Sequence, residues 1–143
     1  MSRFFLPSMA LMMICFIGPT LCRQQDEEEK GFWMRSAVHV VNNLPDPIRV
    51  RCQSKDDDLG LQTLQPRQDL TWRFVPNVFI DTLFYCHFYW GSKDKFFDVY
   101  NHDMGNHCSI LHSKDKSCYW SVRSDGFYFS GTNETYTKKY DWY

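Results

Sequence analysis

The sequence predicts an all-β domain, a small antiparallel β-sandwich cross-linked by two disulfides. Three observations support this prediction. Apolar and polar residues alternate along many short segments, which is the period of a half-buried strand. Residues that favour turns, such as Asp, Asn, Gly and Pro, separate those segments. Four cysteines follow an apolar N-terminal segment, and an even number in a short secreted domain is typical of a disulfide framework.

The first 22 residues have the organisation of a cleavable signal peptide. Arg3 gives a positive start, an apolar run follows, and Thr20 and Cys22 place small residues at positions −3 and −1 of a cleavage site. A membrane anchor is the alternative, but the uninterrupted apolar run is shorter than the roughly 20 residues that a spanning helix needs. We therefore expect a secreted, extracellular protein that is not inserted into a membrane after cleavage.

Cleavage leaves a chain of a size suited to one domain. Residues 23–36 are polar and acidic, so we expect a flexible N-terminal segment there and the β-sandwich over residues 37–143. The whole chain has a net charge of −1, and loss of Arg3 with the signal peptide makes the charge more negative. Such a balance lacks the basic excess that binds nucleic acid, so we expect no nucleic-acid partner. We also expect a monomer.

The alternating segments predict the strands in chain order. They are residues 38–40, 48–52, 70–74, 84–90, 97–99, 118–122 and 127–129. In the first, Val38 and Val40 enclose His39, so the two valines are expected to face the core. No stretch shows a helical stripe. The aromatic tail 135–143 is expected to add an edge strand, with an exposed aromatic patch for partner binding as the alternative.

The segments between these strands have the composition of turns. They are residues 42–47, 55–60, 65–68, 91–94 and 124–126. The last contains Asp125-Gly126 between two alternating segments, which is a strong signal for a tight hairpin.

Four cysteines remain after the signal peptide: Cys52, Cys86, Cys108 and Cys118. Most of them occupy the same alternate strand positions as the apolar residues, which suits disulfides buried in a core. Three pairings are open. We favour Cys52–Cys118 with Cys86–Cys108; the alternative contains a Cys108–Cys118 pair, because the nine residues between these two could close a loop. A zinc site is disfavoured, since the sequence contains no C-x2-C or H-x3-H pair.

Two motifs are specific enough in combination to indicate a family. Cys52 is followed by Ser-Lys-Asp-Asp-Asp-Leu-Gly at 54–60, and Thr-Leu-Phe-Tyr-Cys-His-Phe-Tyr-Trp occupies 82–90. With Phe-Asp-Val-Tyr at 97–100 and Cys-Tyr-Trp-Ser-Val at 118–122, the chain resembles the plant self-incompatibility protein family, the S-protein homologues.

The resemblance covers nearly the whole predicted domain, and it implies a β-sandwich with two disulfides and a secreted extracellular signal. In the founding members the stigma secretes the protein, which triggers rejection of self pollen through a receptor on the pollen surface. We therefore expect a non-catalytic protein ligand of a cell-surface receptor. A secreted carbohydrate-binding or wall-binding module is the alternative.

Loops 54–60, 91–95 and 101–117 are candidate receptor-facing loops, because a rigid sandwich presents its loops to partners. The candidate contact residues in the first two are Lys55, Asp56, Asp57, Asp58, Lys93 and Asp94. The aspartate run lacks the alternating ligands and distal glutamate of a calcium-binding EF-hand, so a solvated turn is favoured. Asn133-Glu134-Thr135 is a glycosylation sequon, and we expect Asn133 to carry a glycan.

Five histidines raise the possibility of an enzyme or a metal site. His102, His107 and His112 share one loop with Cys108, which could hold a metal only if that cysteine were a free thiolate. His39 and His87 lie at outward positions of strands, and no G-x-S-x-G or ribonuclease-like motif is present. We therefore expect no catalytic residues, no metal and no cofactor; a hydrolase or ribonuclease has no supporting motif.

Overall fold

The computed structural model describes residues 34–77, 79–111 and 114–143, and Arg35–Tyr143 form a compact unit. The predicted signal peptide and residues 23–33 lie outside the described residues. The strands are β1 (Ser36–Asn42), β2 (Ile48–Gln53), β3 (Asp58–Leu64), β4 (Asp69–Phe74), β5 (Phe84–Trp90), β6 (Lys93–Tyr100), β7 (Lys116–Arg123), β8 (Gly126–Ser130) and β9 (Thr137–Tyr140). One short helix, α1 (His102–Asn106), follows β6.

The strands form two sheets, in the orders β4-β1-β7-β8-β9 and β3-β2-β5-β6. The all-β fold with two sheets is therefore confirmed. β1 and β7 pair in parallel, from Ser36 opposite Lys116 to Asn42 opposite Val122. The other ladders of the described strands are antiparallel. The parallel β1–β7 ladder is the one departure from the predicted antiparallel sandwich among the described strands, and apolar alternation did not reveal it because its period is the same in both kinds of pairing.

Inward side chains of the two sheets meet in an aromatic core. Phe97 of β6 packs against Trp120 of β7 and Phe127 of β8, with ring centroids 4.9 and 4.8 Å apart. The indole Nε1 of Trp120 donates a hydrogen bond to the carbonyl oxygen of Val99 at 2.8 Å, which satisfies a polar group inside the core. The core thus joins strands of both sheets.

The disulfides are Cys52–Cys86 and Cys108–Cys118. The favoured pairing is wrong, and the alternative that contains Cys108–Cys118 is correct. Cys52 and Cys86 are cross-strand neighbours in the β2–β5 ladder, with Cα atoms 4.1 Å apart, whereas Cys118 lies in the other sheet. A bridge between Ser109 and Ser117 brings Cys108 beside Cys118.

Several boundaries differ from the sequence prediction. β3 begins at Asp58 and β6 at Lys93, so both predicted turns are shorter than expected. Residues 61–64 were assigned to no strand, because an edge strand with little burial shows weak alternation. The helix α1 was not predicted; the side chain of Asn101 accepts a hydrogen bond from the Met104 N–H at 2.9 Å and caps it. The predicted hairpin at Asp125-Gly126 and the edge strand β9 are both confirmed.

Candidate recognition surfaces

The six residues predicted to face a receptor lie at two opposite ends of the four-stranded sheet. Asp58 pairs with Gln53 at the end of β2, whereas Asp94 pairs with Tyr89, which lies opposite Arg49 near the start of β2. The first end contains Lys55, Asp56, Asp57 and Asp58, and the second contains Lys93 and Asp94. The structure therefore does not bring the six residues into one site.

The turn 54–57 at the first end borders a second segment, the connector 75–83 between β4 and β5; we call the two together the loop end. They line a shallow cleft of about 400 Å³, with Asp56 on the side of the turn and Ile80 on the side of the connector. The turn is closed by the Ser54 N–H, which donates to the Asp57 carbonyl at 2.7 Å.

The side-chain oxygens of Asn77 and Thr82 accept hydrogen bonds that order the connector. The amide oxygen of Asn77 accepts from the backbone N–H groups of Phe79 and Ile80 at 2.9 and 3.3 Å. The backbone N–H of Asn77 donates to the hydroxyl of Thr82 at 2.8 Å. These contacts form an Asx-type turn, which fixes the position of the two apolar residues that follow Asn77.

The connector exposes large apolar side chains that sequence reasoning missed. Phe79 is 92% exposed and Ile80 is 64% exposed. Two large apolar side chains that are adjacent in the chain and exposed in this way favour an interaction site. The signal in the sequence was the apolar run at 78–80, which belongs to no alternating segment and follows Pro76.

Exposed acidic residues share the cleft with the apolar Ile80. Asp56 belongs to the turn and Asp81 to the connector, and both residues line the cleft. Asp57 adds a third exposed carboxylate, against one positive charge from Lys55. The loop end is therefore an apolar tip with an acidic rim.

Asp58 has a different role from its neighbours. Its carboxylate accepts hydrogen bonds from Arg51 Nη2 at 2.5 Å, Gln53 Nε2 at 3.1 Å and the Gly60 N–H at 2.8 Å. These bonds, with that from Arg51 the largest cause, hold the pKa of Asp58 well below its ordinary value of 3.8. Because its charge is compensated locally, we assign Asp58 to ordering the start of β3 rather than to the acidic rim.

The residues of the second end are also engaged with their neighbours. The ammonium of Lys93 lies 5.1 Å from the centroid of the Trp90 ring. The Asp94 carboxylate lies 2.8 Å from Nε2 of His87, and the Asp94 backbone pairs with that of Tyr143. These contacts belong to the sheet, so neither residue is presented by a flexible loop.

The outward side of the four-stranded sheet, which we call the outer face, combines aromatic and charged side chains. The β2–β5–β6 ladders place on it Arg49, Arg51, Gln53, Tyr85, His87, Tyr89, Asp94, Phe96 and Asp98. The imidazole of His87 stacks on Tyr89 with ring centroids 4.2 Å apart. Phe96 is 56% exposed.

His39 has the neighbours of a catalytic triad but not its geometry. Its Nδ1 lies 3.0 Å from the Asp69 carboxylate and 2.9 Å from the Thr71 hydroxyl. A triad base uses one ring nitrogen for the nucleophile and the other for the carboxylate. Since both partners of His39 meet the same nitrogen, the group cannot relay a proton from Thr71 towards Asp69. The ring also stacks on Tyr119 at 4.6 Å, which indicates a structural role.

The loop with His102, His107 and His112 could hold a metal only with a free Cys108 thiolate, and Cys108 is in a disulfide, as expected. Within residues 34–77, 79–111 and 114–143, no three His, Cys, Asp or Glu side chains lie close enough to hold a metal ion. His112 lies outside the described residues. The expectation that the chain binds no metal and no cofactor stays a prediction.

The sequon is accessible. Asn133 is exposed in the connection between β8 and β9, where its backbone is left-handed with φ 61°. The hydroxyl of Tyr136 donates to the side-chain oxygen of Asn133, whereas a glycan would be attached to the amide nitrogen. Glycosylation of Asn133 stays a prediction.

Together these features define a class: a small β-sandwich protein with two disulfides, whose exposed apolar and aromatic surfaces suit recognition. Residues 37–142 match the family described as plant self-incompatibility protein S1, and the chain belongs to that family. The resemblance inferred from the sequence motifs is thereby confirmed.

Relatives and a solved structure agree with this assignment. The chain is 37% identical to S-protein homolog 29 of Arabidopsis thaliana over 112 residues, 76% of this chain and 78% of the relative. It is 35% identical to S-protein homolog 3 of the same plant over 111 residues, 73% and 71% of the two chains. A solved SPH (self-incompatibility protein homologue) structure, from a family described as small, highly stable, secreted plant proteins, aligns with a TM-score of 0.55 at 18% identity. The alignment covers 76% of this chain and 95% of that chain, so it shows the fold.

None of the helices in the described residues has the length and apolar character to cross a membrane.

Proposed function

We propose that this chain is a secreted, non-catalytic protein ligand that a cell-surface receptor recognises in cell–cell signalling. Membership of the self-incompatibility family supports this proposal, because the solved SPH protein is described as secreted. The two disulfides suit the oxidising extracellular compartment. The single observation that carries the proposal is the apolar tip of the loop end, where Phe79 is 92% exposed.

The geometry of the loop end suits insertion into a pocket of a partner protein. Burial of an exposed phenylalanine side chain contributes about 1.5–3 kcal/mol. The hydrogen bonds of Asn77 hold Phe79 and Ile80 in place before binding, which lowers the entropic cost of ordering the tip. The carboxylates of Asp56 and Asp81 would attract a basic rim around that pocket and set its orientation. The proposed receptor therefore has an apolar pocket bordered by Lys or Arg.

The test is the binding of the purified, oxidised protein, fluorescently labelled, to protoplasts from pistil and pollen-tube cultures. We expect saturable binding that is lost when the cells are treated with protease. The double substitution Phe79→Ser, Ile80→Ser should weaken binding about tenfold or more, as the loss of one buried phenylalanine predicts. Ile110→Ser is the matched control, because Ile110 is 50% exposed in a different connection and should bind as the wild type.

Three outcomes would contradict the proposal. The double variant could bind as tightly as the wild type, the binding could survive removal of cell-surface protein, or the oxidised protein could cleave RNA or glycans at enzyme-like rates. Because Phe79 and Ile80 are exposed, both variants should unfold at the wild-type midpoint, and circular dichroism checks that weaker binding is not a loss of fold.

A further inference from the structure

The outer face is built from three cross-strand rows. Side chains that pair across neighbouring antiparallel strands lie on the same face of a sheet. The rows are Arg49–Tyr89–Asp94, Arg51–His87–Phe96 and Gln53–Tyr85–Asp98. Each row therefore places an aromatic or imidazole ring on β5 between polar or aromatic side chains on β2 and β6.

The rings of the outer face form a continuous surface. Tyr85 contacts Phe96 with ring centroids 5.4 Å apart, and His87 meets Phe96 edge to face at 5.8 Å. With the stack of His87 on Tyr89, four rings touch in sequence. The side chain of His87 is 32% exposed and Phe96 is 56% exposed, so part of this ring surface faces solvent.

The charged groups of the outer face have both signs, with Arg49 and Arg51 on β2 and Asp94 and Asp98 on β6. Arg51 pairs with Asp58 at 2.5 Å, and the Asp94 carboxylate lies 2.8 Å from Nε2 of His87. The guanidinium of Arg49 lies 5.7 Å from the centroid of the Tyr89 ring. The outer face therefore offers hydrogen-bond donors and acceptors, but its electrostatic potential is not dominated by one sign of charge. This favours a neutral, polar ligand over a charged one.

The size of the outer face argues against a protein as its principal ligand. From Tyr85 to Tyr89 the strand extends about 14 Å, and the three strands β2, β5 and β6 span about 10 Å between their axes, which gives roughly 140 Å². A stable protein interface buries about 800 Å² on each partner, so a protein ligand would have to contact surface well beyond the outer face, whereas a short stretch of an extended sugar chain can lie within it.

We infer that the outer face binds a neutral, extended oligosaccharide. The rings of Tyr89 and Phe96 pack against the C–H faces of sugar rings. Gln53, Asp98 and Arg49 supply donors and acceptors for the sugar hydroxyls. The inference does not depend on the proposed receptor contact, which lies at the loop end. Tyr85 borders both surfaces, so the test uses Tyr89 and Phe96.

The test is an NMR titration of the oxidised protein with cellohexaose, xylohexaose and mannohexaose, three neutral β-linked probes. We expect at least one to perturb the amides of β5 and β6, with a Kd on the order of 1 mM. Tyr89→Ala and Phe96→Ala should each weaken that binding about tenfold, whereas Tyr89→Phe, which keeps the ring face, should stay within about twofold. Ile110→Ala, at an exposed apolar residue elsewhere, should leave the affinity unchanged.

Absence of perturbation with all three probes would overturn the inference, and so would binding that Phe96→Ala leaves unchanged. If Tyr89→Ala and Phe96→Ala instead abolished protease-sensitive binding to protoplasts, the outer face would be a protein contact and the inference would be wrong. Protoplasts lack a wall, so binding to them tests the receptor proposal separately. Failure of one proposal therefore leaves the other standing.

Discussion

Asp115 is a buried carboxylate that joins three segments of the chain. It is 4% exposed, and its two oxygens accept hydrogen bonds from Nε of Arg35 at 3.1 Å and Nε of Arg73 at 2.8 Å. Arg35 directly precedes β1, Arg73 lies in β4, and Asp115 directly precedes β7. One side chain therefore fixes the same end of three adjacent strands.

We predict that Asp115→Asn lowers the free energy of unfolding by about 1–3 kcal/mol, because charge-assisted hydrogen bonds to two arginines are lost. The arginine side chains are 58% and 51% exposed and can be solvated again, which keeps the cost below that of breaking a fully buried pair. Urea denaturation measures the change. Glu134→Gln, at an exposed carboxylate, should leave the midpoint unchanged; an equal loss in both variants would contradict the structural role of Asp115.

Individual residues of this kind were the hardest to predict. In the sequence, Asp115 stands between Lys114 and Lys116 and has the pattern of a solvated charged loop. Its arginine partners are 80 and 42 residues away, so only the tertiary fold brings them together. Phe79 was missed for the opposite reason, because an apolar side chain is expected inside and the sequence does not show that the connector leaves it outside.

Strands with one buried face were predicted well, whereas the edge strand β3 was not. β2 and β5 show near-strict alternation, with Val50 and Phe88 fully buried and Arg49 and Arg51 exposed. β3 is an edge strand, and among its seven residues Leu64 alone is buried, so its sequence has no apolar stripe to detect. Apolar alternation reflects burial, and it is therefore weak in a strand whose residues are mostly exposed.

The two disulfides should differ in their contribution to stability. Cys52–Cys86 spans 34 residues and Cys108–Cys118 spans 10. The loss of chain entropy in the unfolded state predicts about 4 kcal/mol for the longer loop and about 3 kcal/mol for the shorter one. We therefore expect the pair Cys52→Ala, Cys86→Ala to lower stability by about 1 kcal/mol more than Cys108→Ala, Cys118→Ala.

Guanidinium denaturation of the two double variants measures this difference, and peptide mapping of the wild type without reduction checks the pairing. All four cysteines are buried, so the packing lost on replacement by alanine is similar in the two variants. A larger loss for the Cys108–Cys118 variant would contradict the prediction, and a mapped Cys52–Cys118 peptide would contradict the pairing itself.

At the level of the whole molecule, the order of strands could not be obtained from the sequence. β1 lies between β4 and β7, so the first strand of the domain is inserted beside one of the last. Local alternation contains no information on which strands become neighbours, and the parallel β1–β7 ladder joins residues about 80 positions apart. The same limitation explains the wrong disulfide pairing, since the pairing follows from the strand order.

Cohesion between the two sheets depends on the core rather than on covalent links. Cys52 and Cys86 are both in the four-stranded sheet, and Cys108 reaches the five-stranded sheet from the segment just before β7. Phe97 is the clearest link, because its ring contacts Trp120, Phe127 and Tyr140 of the opposite sheet at 4.4–4.9 Å. If packing of this kind holds the sandwich together, both sheets should unfold in one cooperative transition.

We predict that Phe97→Ala lowers the free energy of unfolding by about 3–5 kcal/mol, and Phe97→Leu by about 1 kcal/mol, because a buried ring is removed or reduced. If the alanine variant does not fold, the leucine variant still tests the prediction. Tryptophan fluorescence and far-UV circular dichroism should report the same midpoint in the wild type and in Phe97→Leu. Phe96→Leu, one position away on the outer face, should shift neither probe; two separate transitions in Phe97→Leu would show that the sheets unfold independently and that the aromatic core does not couple them.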